Sequence, residues 1–230
     1  MIRIVLVEPR EAGNVGAAAR VMKNFGLDDL WIAGEHPALS PLAGWWASGA
    51  DDVVERAHFV PSLFDAIADA HVTVATTSLR GRTAAAGLDP QGVAQLHASL
   101  RSDQILALVF GREDHGLTSD EVALCQHTAA IPTNPAFPTM NLAQSIGVFS
   151  FALSTIEPRP RDRDLPTAEM LERMHSRSQS LLVEAGFLHE NNPDRIYDEL
   201  RRLVTRADLD EREVTIVLGI VRQLEWRLKN

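Results

Sequence analysis

The chain has 230 residues, of which 45% are hydrophobic and 23% are charged, an ordinary composition for a soluble globular protein. This length allows one large domain or a domain with an appendage. The single cysteine, Cys125, excludes an internal disulfide and a multi-cysteine zinc site, and the net charge of −9 argues against a nucleic-acid-binding protein. No apolar run approaches the roughly 20 residues that span a bilayer, and no export signal precedes the first apolar segment. We therefore expect a cytoplasmic protein without a membrane span.

Apolar periodicity predicts strands and helices that alternate along the first two thirds of the chain. Strands are predicted over 2–7, 30–33, 71–76, 105–110 and 127–131, and helices over 15–25, 37–46, 61–70, 119–125 and 139–155. This alternation predicts an α/β fold with a mostly parallel sheet that helices cover on both faces.

The last third of the chain has a different pattern. Residues 157–166 contain three prolines and dense charge, which is typical of a linker. Helices are predicted from Thr167 to a stop at Gly186, from an Asn192-Pro193 start, and from a capping box at Asp208–Glu211 to the vicinity of Trp226. The predicted organisation is therefore a domain over 1–157, a linker over 158–166 and a helical extension over 167–230.

The acidic charge is unevenly distributed. Residues 1–157 carry 9 Lys+Arg and 17 Asp+Glu, whereas residues 158–230 carry 13 and 14. Clustered arginines in the second part can bind phosphates even though the whole chain is acidic, but the same pattern also fits solvated helix faces with ion pairs.

Three polar loops follow predicted strands or lead into a predicted helix. They are EPREAGNVGAAAR after the first strand, GREDHGLT after the strand at 105–110, and NPAFPTMNLAQ before the helix at 139–155. Strand carboxyl ends gather at one edge of an α/β sheet, and helix amino termini present free N–H groups, so we expect these loops to form a ligand site.

The same loops resemble the three motifs of the SpoU branch of the SPOUT methyltransferases. Asn14–Arg20 (NVGAAAR) resembles motif 1, Gly111–Thr118 (GREDHGLT) motif 2, and Pro138–Gln144 (PTMNLAQ) motif 3. The C-terminal part resembles the extension of a tRNA 2′-O-methyltransferase group, so the resemblance covers nearly the whole chain. It implies a C-terminal trefoil knot, a homodimer formed through the knot with a shared active site, S-adenosylmethionine as cofactor, and the ribose at the first anticodon-loop nucleotide of tRNA as target.

The resemblance also assigns residues to roles. It implies catalytic roles for Arg20, Asn14, Glu113, Asn141 and Thr139. A guanidinium is a very poor base, so we expect Arg20 to act with its charge intact, on a phosphate or on the developing alkoxide. Asn14 could also cap its helix, and Glu113 could instead fix a loop. Cofactor contacts are implied for Thr77, Ser78, Leu79, Gly111, Ile131, Pro138, Thr139 and Met140. RNA contacts are expected for Arg20, Arg80, Arg82, Arg201 and Arg202.

Three alternatives remain open from the sequence. The RNA could be ribosomal, since SpoU relatives differ mainly in their appended RNA-binding parts, or the chain could be a noncatalytic RNA-binding relative. A nucleotide-dependent oxidoreductase is disfavoured because GNVGAAAR lacks the G-x-G-x-x-G spacing. We expect no metal site and no DNA partner.

Overall fold

The computed structural model describes residues 1–39, 42–78, 87–188 and 193–229, without the side chains of residues 193–195. The chain forms two compact units, Met1–Arg161 and Asp162–Asn230. The division falls inside the predicted linker, and the exact boundaries at 157 and 166 stay predictions.

A parallel sheet forms the centre of the first unit. Its strands are β1 (Ile2–Val7), β2 (Asp29–Ala33), β3 (His58–Val60), β4 (Val72–Thr76), β5 (Leu106–Phe110) and β6 (His127–Ala129). Among the described residues the sheet has six strands in the order β3-β2-β1-β5-β4-β6, and every pair is parallel. The predicted α/β class with a mostly parallel sheet is confirmed, while the knot stays a prediction.

The central strands are almost continuously apolar. Every residue of β5 is buried, and so is all of β1 except its first residue, Ile2. Strands covered on both faces need such runs, and each fully buried aliphatic side chain contributes roughly 1.5–3 kcal/mol. Arg3 is the polar exception in β1, and its guanidinium is paired with Asp29 and Asp69.

Seven helices connect and flank the strands in the described part of the first unit. They are α1 (Ala12–Asn24), α2 (Leu42–Ala47), α3 (Asp51–Glu55), α4 (Leu63–Ile67), α5 (Pro90–Ala98), α6 (Ser119–Ala123) and α7 (Leu142–Ser154). Gly16 lets α1 pack closely on α2, because a Cβ at this position would lie 2.1 Å from the carbonyl oxygen of Ala43.

Two predicted helices begin later than expected. Residues 37–39 are not helical, and the helix predicted over 37–46 begins at Leu42. The helix predicted over 139–155 begins at Leu142, because Asn141 has extended backbone angles and caps it from outside. The short elements α3 and β3, together with α5, were missed by the sequence prediction.

The second unit is helical, with α8 (Ala168–Glu184), α9 (Pro193–Ala207) and α10 (Glu211–Lys229). Gly186 follows α8 with a φ of 75°, and Pro193 opens α9 as predicted, while Asn192 lies outside the described residues. The capping box before α10 uses Asp210 and Glu213, not the predicted Asp208 and Glu211. No helix in the described ranges has the length and apolar character needed to cross a membrane.

Candidate active site

A cavity of about 410 Å³ opens where β4 and β5 end and α7 begins. Its apolar wall includes Phe110, Leu142 and Phe149, and Phe110 and Phe149 pack edge to face with ring centroids 6.0 Å apart. Threonine and serine residues line other parts of it: Thr76, Thr77, Ser78, Thr133, Thr139 and Ser145. This volume and mixed lining suit a small organic ligand.

The cavity gathers the predicted cofactor residues. Thr77, Ser78, Gly111, Ile131, Pro138, Thr139 and Met140 all line it, and Leu79 lies outside the described residues. They come from three loops because the carboxyl ends of parallel strands share one edge of the sheet. The assignment of these residues to cofactor binding stays a prediction.

Two loops around the cavity are fixed by local contacts. The carbonyl oxygen of Pro138 accepts a hydrogen bond from Thr133 Oγ1 at 3.0 Å, which closes the loop before α7. At Gly111, a Cβ would lie 2.2 Å from the carbonyl carbon of Gly116, so the motif 2 loop folds back this tightly only on glycine. The lining is therefore held in shape by the chain itself.

Three predicted catalytic residues form one hydrogen-bonded network. The Glu113 carboxylate accepts hydrogen bonds from the backbone N–H of Arg10 at 2.9 Å, that of Glu11 at 3.3 Å, and Asn14 Nδ2 at 2.8 Å. The Oδ1 of Asn14 accepts one from Asn141 Nδ2 at 3.1 Å. Residues 99 and 127 positions apart in the chain are thereby joined beside the cavity.

The ends of this network fix the orientation of both amides. Asn141 Oδ1 accepts from the backbone N–H groups of Ala143 and Gln144 at 2.9 and 3.4 Å, which leaves its Nδ2 to face Asn14. The Glu113 carboxylate can only accept, so the Nδ2 of Asn14 must face it. Glu113 fixes the loop of Arg10 and Glu11 and also lines the cavity, while its catalytic role stays a prediction.

Arg20 stands apart from the cavity. It is exposed on α1, about two turns beyond Asn14, and it is not among the cavity-lining residues. Among the described Lys and Arg residues of 1–157, Arg20 alone has no carboxylate within ion-pair distance. Its guanidinium is therefore available to an anionic ligand.

The predicted RNA contacts in the second unit differ in their surroundings. The guanidinium of Arg201 donates to Glu172 at 2.7 Å and lies 5.9 Å from the centroid of the Tyr197 ring. Arg202 is exposed and has no ion pair among the described residues. Arg80 and Arg82 lie outside the described residues. Arg202 is thus the freer of the two described arginines.

The sequence prediction did not single out the buried Arg112. It lies between the carboxylates of Glu8 and Glu121, which raise the pKa of its guanidinium further. The hydrogen bond from Arg112 lowers the pKa of Glu8. Burial opposes ionisation of Glu121, yet the hydrogen bonds from Arg112 and Thr118 lower its pKa overall. The only sequence feature that could have drawn attention to Arg112 is its place directly before Glu113 in motif 2.

Cys125 and the histidines of the described residues give no further site. Burial raises the pKa of the Cys125 thiol to about 12, which fits a packed structural residue and not a nucleophile. His115 lines the cavity, and its Nδ1 lies 2.6 Å from Asp114 Oδ1, but both side chains are exposed. Across the described residues, no group of His, Cys, Asp and Glu could hold a metal ion.

Known proteins resemble both units. A family model described as the SpoU rRNA Methylase family matches residues 1–151, and one described as the tRNA methyltransferase TrmJ, C-terminal domain, matches residues 169–230. The tRNA (cytidine/uridine-2′-O-)-methyltransferase TrmJ of Escherichia coli (strain K12) is 36% identical over 240 residues, which covers 99% of this chain and 96% of that protein.

Solved structures of methyltransferases also resemble this chain. The crystal structure of TrmJ from Z. mobilis ZM4 has a TM-score of 0.86 and 32% identity, over 98% of this chain and 99% of that chain. The SpoU methyltransferase AviRb from Streptomyces viridochromogenes, solved in complex with the cofactor AdoMet, has the same fold at a TM-score of 0.53 and 21% identity, over 67% of this chain and 59% of that one. The resemblance seen in the three motifs is confirmed. The chain belongs to the SpoU methylase family, with a C-terminal domain of the TrmJ type after its methylase domain.

Proposed function

We propose that this chain transfers a methyl group from S-adenosylmethionine to a ribose 2′-hydroxyl of tRNA. The observation that carries the proposal is the hydrogen-bonded chain from Glu113 through Asn14 to Asn141 at the rim of the cavity. The network brings together one polar residue from each of the three motifs. Preorganised polar groups of this kind can orient a hydroxyl without rearranging during the reaction.

The cavity suits S-adenosylmethionine. Its volume of about 410 Å³ falls in the range of sites for ligands of this size, and its lining offers apolar walls for an adenine ring and hydroxyls for a ribose. Thr77, Ser78, Gly111, Ile131 and Met140 would hold the cofactor. When bound, the cofactor supplies an electrophilic methyl group, and the protein aligns the acceptor oxygen with it.

Arg20 would act on the RNA with its charge intact. A guanidinium is a very poor base, so Arg20 keeps its proton while the 2′-hydroxyl loses one. The exposed guanidinium, which has no ion pair among the described residues, can bind the neighbouring phosphate and stabilise negative charge on the 2′-oxygen. Asn14, Glu113, Asn141 and Thr139 would shape the site around that oxygen.

A second copy of the chain would complete the site. Arg20 is absent from the lining of the cavity in its own chain, which favours a dimer in which Arg20 serves the partner's cavity. The exposed side chains of Phe137, in the loop before α7, and of Phe151, within α7, would be covered by the partner. Sedimentation of the purified protein measures the dimer directly.

Mixed dimers test the sharing of the site. Coexpressed Arg20→Ala and Asn141→Ala chains regain up to about a quarter of the parent activity if sites are shared, because half of the dimers are mixed and each has one intact site. No recovery, with mixed dimers demonstrated, would place each site within one chain.

The expected RNA is tRNA. The C-terminal unit matches the TrmJ domain model, and the full-length relative is named for cytidine and uridine in tRNA. We further propose the ribose of the first anticodon-loop nucleotide as the target and the cytoplasm as the place of action. DNA lacks the 2′-hydroxyl and is not expected to react.

The test is methyl transfer from labelled S-adenosylmethionine to total tRNA and, separately, to ribosomal RNA, followed by mapping of the modified nucleotide. Label on a 2′-oxygen in the anticodon loop supports the proposal. Label confined to ribosomal RNA would move the substrate to the other RNA class. No label in either, with cofactor binding intact, would favour a noncatalytic RNA-binding protein.

A further inference from the structure

The guanidinium of Arg112 connects three segments around the cavity. Its Nε donates to Glu8 Oε2 at 2.9 Å, and its Nη1 and Nη2 donate to the two carboxylate oxygens of Glu121, each at 2.9 Å. Nη1 also donates a hydrogen bond to the carbonyl oxygen of Gly116 at 3.4 Å. Only 6% of the Arg112 side chain is exposed, so water cannot easily replace these partners.

Two hydrogen bonds between Arg112 and Gly116 close the motif 2 loop on itself. The backbone N–H of Gly116 donates to the carbonyl oxygen of Arg112 at 2.9 Å, and the Arg112 side chain returns to the carbonyl of Gly116. Glu113 lies inside this closed loop, directly after Arg112. Its carboxylate position therefore depends on how the Arg112 side chain is anchored.

The contact with Glu8 fixes the other side of the network. Glu8 directly follows β1 and has a φ of 43°, a left-handed conformation that non-glycine residues rarely adopt. Arg10 and Glu11, which follow Glu8 after one proline, give the backbone N–H groups that bind the Glu113 carboxylate. Through Glu8, Arg112 fixes the segment that carries the two N–H donors, and through the motif 2 loop it fixes their acceptor, the Glu113 carboxylate.

We propose that Arg112 is a positioning residue for methyl transfer, which sets Glu113 and, through it, Asn14 and Asn141 in the reactive arrangement. This inference rests on the proposed function, because it assigns Arg112 to the same site. Lysine would not replace arginine here. It keeps the positive charge but loses the planar fork that binds Glu121 in a bidentate manner while also reaching Glu8.

Arg3 offers a matched control. It is also a buried arginine held by two carboxylates, Asp29 and Asp69, but it lies near the start of β1, away from the cavity lining. Arg112→Lys and Arg3→Lys should both lower the melting temperature. In the folded proteins, Arg112→Lys should lower kcat by about 10- to 100-fold, as small displacements of catalytic groups do, while Arg3→Lys should leave kcat at the parent value.

A double variant separates positioning from a general loss of stability. If Arg112 acts through Glu113, the Arg112→Lys/Glu113→Gln protein has the kcat of Glu113→Gln alone. Parent kcat in Arg112→Lys would overturn the inference, and so would losses that multiply in the double variant. If Arg112→Lys does not fold, Glu8→Gln, which retains an oxygen facing Arg112, gives the same comparison with a smaller loss.

Hydrogen exchange gives a readout that does not need activity. The amide hydrogens of Arg10 and Glu11 should exchange about tenfold faster in Arg112→Lys, because their acceptor, the Glu113 carboxylate, is displaced. In Arg3→Lys the carboxylate stays in place, so these amides should exchange at the parent rate. A parent protein that fails to methylate tRNA would refute the proposed function, and this exchange would still test the anchoring. If the Arg10 and Glu11 amides of Arg112→Lys exchange at the parent rate, Arg112 does not anchor Glu113 and the inference fails.

Discussion

Replacing Asn141 separates a structural role from a chemical one. Its Oδ1 caps α7 by accepting from two backbone N–H groups, and its Nδ2 donates to Asn14 at 3.1 Å. Asn141→Asp keeps the capping oxygens but replaces the donor with an acceptor that faces Asn14 Oδ1. Asn141→Ala removes both functions. The two variants therefore differ in the cap while sharing the loss of the network.

The magnitudes follow from these contacts. Loss of an N-cap costs about 1 kcal/mol and loss of the hydrogen bond about 0.5–1.5 kcal/mol, so Asn141→Ala should lose roughly 2 kcal/mol of unfolding free energy. In Asn141→Asp the negative charge at the helix amino terminus contributes about 0.3–1 kcal/mol and offsets much of the loss. We expect its unfolding free energy to stay within about 1 kcal/mol of the parent's.

Methyl transfer should respond differently from stability. Both variants break the link between motifs 1 and 3, so both should lose at least about tenfold in kcat. Asp89→Ala is the control, because Asp89 caps α5 through the N–H of Gly92 at 2.7 Å and does not line the cavity. It should lose about 1 kcal/mol of unfolding free energy and no activity. Parent activity in a folded Asn141→Asp protein would refute our reading of the network.

Three further outcomes are expected. Arg20→Ala should lower kcat by about 10²–10³-fold, as loss of a charge-stabilising donor does. The melting temperature should be unchanged, because Arg20 is exposed and has no ion pair with any described residue, and parent turnover would remove Arg20 from the site. Arg202→Ala should lower the salt dependence of tRNA binding by about 0.7–0.9 in the log–log slope, while Arg201→Ala should mainly destabilise the second unit; equal slopes in Arg202→Ala and the parent would contradict this. Burial, with the nearby charge of Arg201, lowers the pKa of His175 from 6.5 to about 4. Between pH 6.5 and 4 the imidazole is therefore protonated in the unfolded chain but neutral in the folded one. Stability of the helical unit should then be complete above pH 6.5 and fall by up to about 3 kcal/mol as the pH drops to 4, a slope that His175→Gln should abolish in urea titrations.

The sequence predicted most of what is local. The runs at β1 and β5 are apolar enough to identify strands, and the motif loops after β1 and β5 could be placed at one edge of the sheet. The strand order β3-β2-β1-β5-β4-β6 could not be predicted, because no periodicity records which strands pair. The helix α5 escaped prediction although Asp89 and Pro90 are good start signals, since it is short and contains Gly92.

The sequence identified the residues that form the hydrogen-bonded network of the candidate site, but it could not predict the hydrogen bonds between them. Motif resemblance assigns Asn14, Glu113 and Asn141, yet their mutual hydrogen bonds depend on the folded loops. Arg112 was missed for a related reason. An arginine in an acidic chain is usually a solvated surface residue, and only the fold shows that Glu8 and Glu121 enclose this one.

The charge balance of residues 1–157 supports the proposed role of Arg20 in binding RNA, although the protein is acidic. Residues 1–157 have 9 Lys+Arg against 17 Asp+Glu, and the described cations other than Arg20 lie beside carboxylates. Those cations stabilise the fold and are largely neutralised, so they add little to the attraction of a polyanion. An unpaired guanidinium in such a surface has no competing internal partner, and an incoming phosphate meets local positive charge at this position. The proposed role of Arg20 therefore follows from its isolation among paired cations as well as from its place in motif 1.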